Sequence, residues 1–359
     1  MSCSRLAHHF DVDFFSFAVL SYTRLCYHRR AYSSFPCTSP LTILTTRTSL
    51  ITHINFIIAT MATSADAPAK SGLGMFWWAA RHPPTDPTTS CTGKTVLITG
   101  ANVGLGFEAA TKFAALGAAT LIFGVRSLGK GKAAKAQIER AIGCKSDVIQ
   151  IFELDMSSYS SIEKFAKVVS NKFPKIDAAI LNAGVAASAY NVSPHGWEMS
   201  LQVNVISTTY LAILLLPKLR ETALSTRQPA CLEFVASAGH GDVKAENIKD
   251  SRSILKKAND EKNFSIATQY INTKLMEMWA MGQIASKTSP AQVIVTSSCP
   301  GLCRSNLSRD FIALIRIPNN LFQKVFARSS EEGSRTIVSA TSLGAEGHGG
   351  FWTNDKVSM

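Results

Sequence analysis

From Lys94 onward, short runs of apolar and β-branched residues alternate with longer stretches whose apolar residues recur at helical spacing. KTVLIT (94–99), TLIFGV (120–125), DVIQIFELD (147–155), IDAAILN (176–182), ACLEFVA (230–236) and AQVIVTSS (291–298) have the length and composition of strands. Between them, GLGFEAATKFAALGA (104–118) puts Phe107, Ala110, Phe113 and Ala114 at helical spacing. KGKAAKAQIERAIG (130–143) and SSIEKFAKVVSNKF (160–173) read as helices too, a longer helical region covers about 197–223, and a helix carrying QYINTK (269–274) precedes the last strand. Strands separated by helices of ten or more residues imply right-handed βαβ units. The pattern predicts an α/β fold: a Rossmann-type doubly wound parallel sheet with helices on both faces, in a single domain.

The first 92 residues break this pattern. Residues 1–60 contain no Gly, Lys or Glu but 5 Arg, 8 Ser and 8 Thr, poor material for a packed core. Three readings stand: an Arg- and Ser-rich targeting segment, weakened by Asp11 and Asp13; a secretory start around FFSFAVL (14–20); or an upstream extension of a protein that begins at Met61. The last is favoured, and this leader is expected to be disordered and dispensable. Residues 61–92, rich in Pro, Ala, Ser and Thr, read as a linker or N-terminal arm, with MFWW (75–78) packing on the domain in preference to touching lipid. The domain proper is expected at 93–359.

Composition narrows the partners. A net charge of +12 raises nucleic acid, yet Lys and Arg are scattered and not interleaved with stacking aromatics, so no nucleic-acid partner is expected. The charge reads as solubility plus an anionic ligand. The 8 cysteines form no CxxC pair and accompany no paired His ligands, so the sequence implies no metal and a reducing compartment. No apolar run approaches 18 residues, and the strongest, YLAILLL (210–216), meets Pro217. No spanning helix is expected, and the location expected is cytoplasmic, or mitochondrial or membrane-peripheral if the leader is a real signal.

The chemistry begins at TGANVGLG (99–106), between the first strand and the first helix. Gly100 permits the tight turn, Gly104 lets backbone approach a pyrophosphate, and Gly106 lets the helix pack close to the sheet, while the helix N-terminus supplies free N–H groups. After the second strand an acid would bind a ribose 2′-hydroxyl; Gly124-Val125-Arg126-Ser127 stands there instead. Arg126, with Lys130 nearby, suits a 2′-phosphate, so NADP(H) is preferred over NAD(H).

These residues, with LDMSS (154–158), LNAG (181–184), VNV (203–205), VASAGH (235–240), YINTK (270–274) and CPGL (299–302), resemble the short-chain dehydrogenase/reductase superfamily in order and register over about residues 93–353. LLPKLRETA (215–223) and PGLCRSNLSRD (300–310) look like its retinol-dehydrogenase/protochlorophyllide-reductase-like branch, and most like fungal members associated with secondary metabolism. The resemblance implies that Asn102 and Leu105 join the cofactor turn, that Asp155 binds the adenine edge, and that Asn182, Ala183 and Gly184 line the adenosine ribose. It further implies that Asn204 holds a relay water in a distorted helix, Ser237 bonds the substrate carbonyl, Tyr270 exchanges the proton and Lys274 grips the nicotinamide ribose. Pro300 and Gly301 follow the nicotinamide face, with Ser305 where the family usually has threonine. His240 and Cys303 read as lining residues.

Tyr270 and Lys274, one helical turn apart, share a face. An ammonium about 4 Å away at an effective dielectric near 20 favours the phenolate by about 4 kcal/mol, or about 3 pKa units, so the phenol is expected well below its usual value near 10. The expected function is NADP(H)-dependent interconversion of a carbonyl and an alcohol on a small hydrophobic molecule, with no oligomeric state implied. The alternatives are a catalytically idle dinucleotide-binding protein and a membrane-peripheral retinol-type dehydrogenase. The separation of 33 residues from Ser237 to Tyr270 implies an inserted loop and helix at 240–264, and FIALIRIPNNLFQKVF (311–326) falls within a substrate lid expected at about 302–328, with membrane attachment the less favoured reading of that segment. The end at Met359 comes earlier than relatives of this type usually stop.

Overall fold

The computed structural model describes residues 73–244, 254–304 and 321–358. The leader, Ser305, the centre of the inserted segment and most of the expected lid lie outside the described residues. After α1 (Leu73–Arg81), the chain runs β1 (Thr95–Thr99), α2 (Gly104–Ala115), β2 (Thr120–Val125), α3 (Leu128–Ile142), β3 (Ile149–Glu153), α4 (Tyr159–Lys172) and β4 (Ala178–Leu181). It continues through α5 (Met199–Thr226), β5 (Ala230–Val235), the short α6 (Ile254–Ala258), α7 (Ile266–Ser286), β6 (Val293–Ser298), α8 (Ser330–Ala340), β7 (Phe351–Thr353) and β8 (Lys356–Ser358).

One eight-stranded sheet has the order β3-β2-β1-β4-β5-β6-β7-β8, parallel throughout except for the terminal hairpin β7–β8. That hairpin turns on Asn354 and Asp355, at φ 46° and 60°, a region these two residue types tolerate. Helices cover both faces, so β1, β5 and β6 are buried along their whole length and read as near-continuous apolar runs. Ala109 and Phe113 of α2, Ile138 of α3 and Ile337 of α8 form the core on one face. Ile162 and Phe165 of α4, Leu211 and Leu215 of α5 and Met281 of α7 form it on the other. The chain winds outward from β1 to β3, then returns to β4 on the other side of β1. That reversal opens a crevice at the carboxyl ends of β1 and β4, where α/β sheets bind their ligands.

The helix expected over about 197–223 is present: α5 continues through Pro217 to Thr226. The proline lies on the exposed face, where the Ile213 carbonyl it deprives of a partner stands beside a side chain 39% exposed to water. By length and composition alone α5 passes for a membrane span, but 72% of its most apolar window is buried inside the fold. Residues 73–92, expected as a linker or N-terminal arm, are tied to the domain by hydrogen bonds. Arg328 donates from Nε to Ala79 O (2.8 Å) and from Nη2 to His82 O (3.0 Å), and Thr85 N donates to Asp355 Oδ2 (2.7 Å). Trp77 packs edge-on against Phe326, so the MFWW segment does meet the domain.

Candidate active site

The carboxyl ends of β1 to β6 carry nearly all of the expected site residues along one edge of the sheet. Gly100 and Gly104 stand at φ +71° and +60°, open to glycine and costly for other residues. At Gly106 a Cβ would come within 2.5 Å of Asn182 Nδ2 and 2.6 Å of Gly100 O, so only glycine lets α2 begin this close to β1. Asn102 and Leu105 lie in the same turn and first helical turn. α3, α4 and α8 are capped by Ser127, Ser158 and Ser329, but α2 starts at Val103 with no side-chain cap. Its first N–H groups are left for an anion, as a pyrophosphate cradle requires. These features fit a dinucleotide.

Arg126 is exposed just past β2, and Ser127 beside it caps α3 by accepting from Lys130 N at 3.4 Å, so both basic residues sit at the outer end of the crevice. Asp155 follows β3, its Oδ1 accepting from Ser157 N (2.9 Å) and Ser157 Oγ (2.7 Å). Asn182 Nδ2 donates to Thr99 O, and Ala183 N to Thr99 Oγ1, both at 2.9 Å. The polar groups expected to line the ribose thus also tie β4 to β1. Gly184 lies beside Asn204 and Lys274: a Cβ there would stand 3.4 Å from Asn204 Oδ1 and 4.0 Å from Lys274 Nζ.

Asn204 sits in a π-helical segment, Gln202–Ser207, within α5, the distortion expected there. Its Oδ1 accepts from Val185 N (2.9 Å), and Nδ2 donates to Val185 O (2.8 Å) and Thr273 Oγ1 (3.1 Å). Both amide hydrogens and one lone pair are engaged, so the side chain braces the β4 loop against α7. A relay water is left only the second lone pair or the main-chain carbonyl.

Ser237 follows β5 and caps the turn Ala238–Asp242, its Oγ accepting from Gly239 N (3.3 Å), and it stands beside the phenol of half-buried Tyr270, whose ionised form it favours. Lys274 Nζ lies 5.9 Å from the Tyr270 ring centroid. It donates to Val235 O (2.8 Å) and to Glu277 Oε2 (2.7 Å) inside the protein. This corrects the expected electrostatics. Burial raises the Tyr270 phenol above its usual range; Lys274 pulls it down, but Glu277 pushes the same way as burial. Burial disfavours the Lys274 charge, yet the Glu277 carboxylate, followed by Tyr270, holds its pKa above the ordinary value. The expectation from sequence counted the lysine and missed its counter-charge. A glutamate three residues after Lys274, in the apolar run LMEMWA, was the available signal, because such a residue is buried only when paired.

Past β6, Cys299 Sγ accepts from Ala238 N (3.2 Å) and Gly301 N (3.4 Å), shaping the turn of Pro300 and Gly301. Gly301 has φ +75°, and a Cβ there would meet Arg328 Nη1 at 3.1 Å. Arg328, also missed from sequence, is 2% exposed. Cys303 is buried with its thiol pushed up to about 12, which keeps it unreactive at neutral pH. His240 Nδ1 is bonded to Ser237 O (2.6 Å), and burial lowers its pKa, so it lines the site as a neutral ring.

The short chain dehydrogenase family model matches residues 94–226. The short-chain dehydrogenase/reductase ffsI of Aspergillus flavipes is 58% identical over 292 residues, 81% of this chain and 86% of that protein. The short-chain dehydrogenase/reductase phmF of Phaeosphaeria nodorum is 59% identical over the same shares. Among solved structures, the Pseudomonas aeruginosa RhlG/NADP complex shares the fold at TM-score 0.56 and 20% identity, over 75% of this chain and 97% of that one. A 3-ketoacyl-(acyl-carrier-protein) reductase of Brucella melitensis complexed with NADH does so at 0.52 and 21%, over 70% and 90%. With a strand-end site of this kind and relatives this similar along most of their length, the chain belongs to the short-chain dehydrogenase/reductase family, whose members are oxidoreductases.

Proposed function

We propose that the protein reduces a carbonyl group on a hydrophobic small molecule with NADPH, and oxidises the alcohol in the reverse direction. The observation that carries this reading is the meeting of Ser237, Tyr270 and Lys274 beside the uncapped glycine turn. A protein that only bound a dinucleotide would need the turn and not the triad. NADP(H) is preferred because Arg126, and no acid, stands exposed at the end of β2. The resemblance to fungal members associated with secondary metabolism supports a metabolite of that kind as substrate.

When bound, the dinucleotide supplies the hydride that adds to the carbonyl carbon. Tyr270 holds the proton for the carbonyl oxygen, and Ser237 donates a hydrogen bond to the negative charge developing there. Lys274 keeps one N–H free of protein partners for a ribose hydroxyl. The phenol, held in its acid form at neutral pH, suits the reducing direction.

The test is NADPH consumption by the full chain over a panel of hydrophobic ketones and aldehydes. Turnover that depends on Tyr270 supports the reading. An NADPH-induced rise in melting temperature without turnover of any carbonyl would favour the idle binder.

A further inference from the structure

We propose that Glu277 is a positioning residue for the reaction: it holds the Lys274 ammonium in a buried ion pair, offsets the charge presented to Tyr270, and so keeps the phenol in the acid form that reduction uses. The inference rests on the proposed carbonyl chemistry for its meaning, though not for its measurement.

The geometry is specific. Lys274 and Glu277 lie three residues apart on α7, on one helical face, with Nζ and Oε2 separated by 2.7 Å and side chains only 6% and 2% exposed. Neither charge would tolerate this burial alone. Of the three N–H donors of Lys274, Glu277 and Val235 O take two, which aims the third and fixes the ammonium 5.9 Å from the Tyr270 ring. At such distances, away from water, the phenol feels both charges of the pair. Lysine alone would make it a stronger acid; glutamate returns it toward the protonated form. The other groups facing the pair do not replace this effect. Cys299, at the end of β6, is kept a neutral thiol chiefly by burial, with Arg328 behind it. Ser237, at the end of β5, is uncharged and stands beside the phenol, where it favours the ionised form.

The sign follows. Removing the Glu277 charge makes Tyr270 lose its proton at lower pH, so the basic limb of kcat/KM for reduction moves to lower pH. Glu277→Gln keeps the shape and an oxygen for Lys274, and should move that limb by about one unit. Glu277→Asp keeps the charge and should leave the limb near its original position even if the rate falls. An unmoved limb in Glu277→Gln, or an equal movement in both variants, overturns the proposal. Tyr270 ionisation is also read without turnover, by ultraviolet titration of each full-length protein against its Tyr270→Phe counterpart. Should no carbonyl be reduced, the proposed function fails while this titration still decides the role of Glu277. If Glu277→Gln does not fold, Lys274→Met and Lys274→Met/Glu277→Leu take its place. The phenol should titrate at lower pH in the double variant than in the single one, and coincident curves would overturn the proposal.

Discussion

Lys274 and Arg328 are both buried cations, 4% and 2% exposed, and both face Cys299 at the end of β6. They differ in their partners. Lys274 meets a carboxylate, so its charge is sustained and pKa raised, and its proton lies within reach of a titrating phenol. Among the described residues Arg328 hydrogen-bonds only neutral acceptors, Ala79 O, His82 O and Asn354 Oδ1 (2.6 Å), and burial lowers its pKa. A planar fork spreads over three such acceptors; a single ammonium does not. The same charge at the same depth thus serves chemistry in one place and architecture in the other, tying the N-terminal arm and the β7–β8 turn to Gly301.

The largest effect should come from the chemical side. Tyr270→Phe removes one oxygen and leaves the ring packed, so reduction should fall by about 10²–10⁴-fold with NADPH affinity and melting temperature kept. Steady-state turnover and a cofactor titration measure both. Near-normal turnover would remove Tyr270 from the mechanism. Lys274→Met should cost stability as well, about 3–5 kcal/mol by denaturant titration, because it strands Glu277 in the interior. The double variant Lys274→Met/Glu277→Leu should regain most of that stability and none of the activity. If it stays as unstable as the single variant, the pair is not the reason for the loss.

How much of this was legible in the chain follows from the range of each interaction. The glycine turn, the alternating strands and helices, and Tyr270 with Lys274 are local patterns, and the fold brings them to one edge as expected. Asn204 was legible as a position, but not as a brace, because its partners Val185 and Thr273 come from other elements. Arg328 left no trace: it sits in an ordinary FARSS stretch, 249 residues from Ala79, and nothing local says that it is buried. The arm itself reads as linker by composition, since its order comes from tertiary contacts alone. Glu277 was visible, and the short apolar run around it was the clue.

Arg126 offers a third cation to set against the other two, exposed where they are buried. Arg126→Ala should weaken NADPH binding by about 10–150-fold, the worth of a charge-assisted bond of about 1.5–3 kcal/mol, and leave NADH binding nearly unchanged. Equal losses for both cofactors would make it a loop support. For Arg328, Arg328→Met leaves three acceptors without their donor and should cost about 2–3 kcal/mol. Limited proteolysis should then cut between residues 82 and 92, where the unaltered protein should resist cleavage. Arg328→Lys should not restore protection, because a lysine cannot span the three acceptors. Restoration by lysine would mean that charge alone holds the arm.

The smallest effect should come from the arm's surface contacts. Asp86 pairs with Lys112 Nζ at 2.8 Å and lies 3.9 Å from Arg335, and Lys112 and Arg335 both also bind Glu331. On a contact map this network looks as strong as the Arg328 fork. Asp86, however, is 61% exposed, and both cations keep Glu331 when it is gone. Asp86→Asn should therefore cost only about 0.2–1 kcal/mol, decrease further in effect at high salt, and leave the arm as resistant to protease as before. Melts at low and high salt, beside the same proteolysis, separate the two anchors. If Asp86→Asn frees the arm as readily as Arg328→Met, the arm is held by its surface charges and the buried arginine has another purpose.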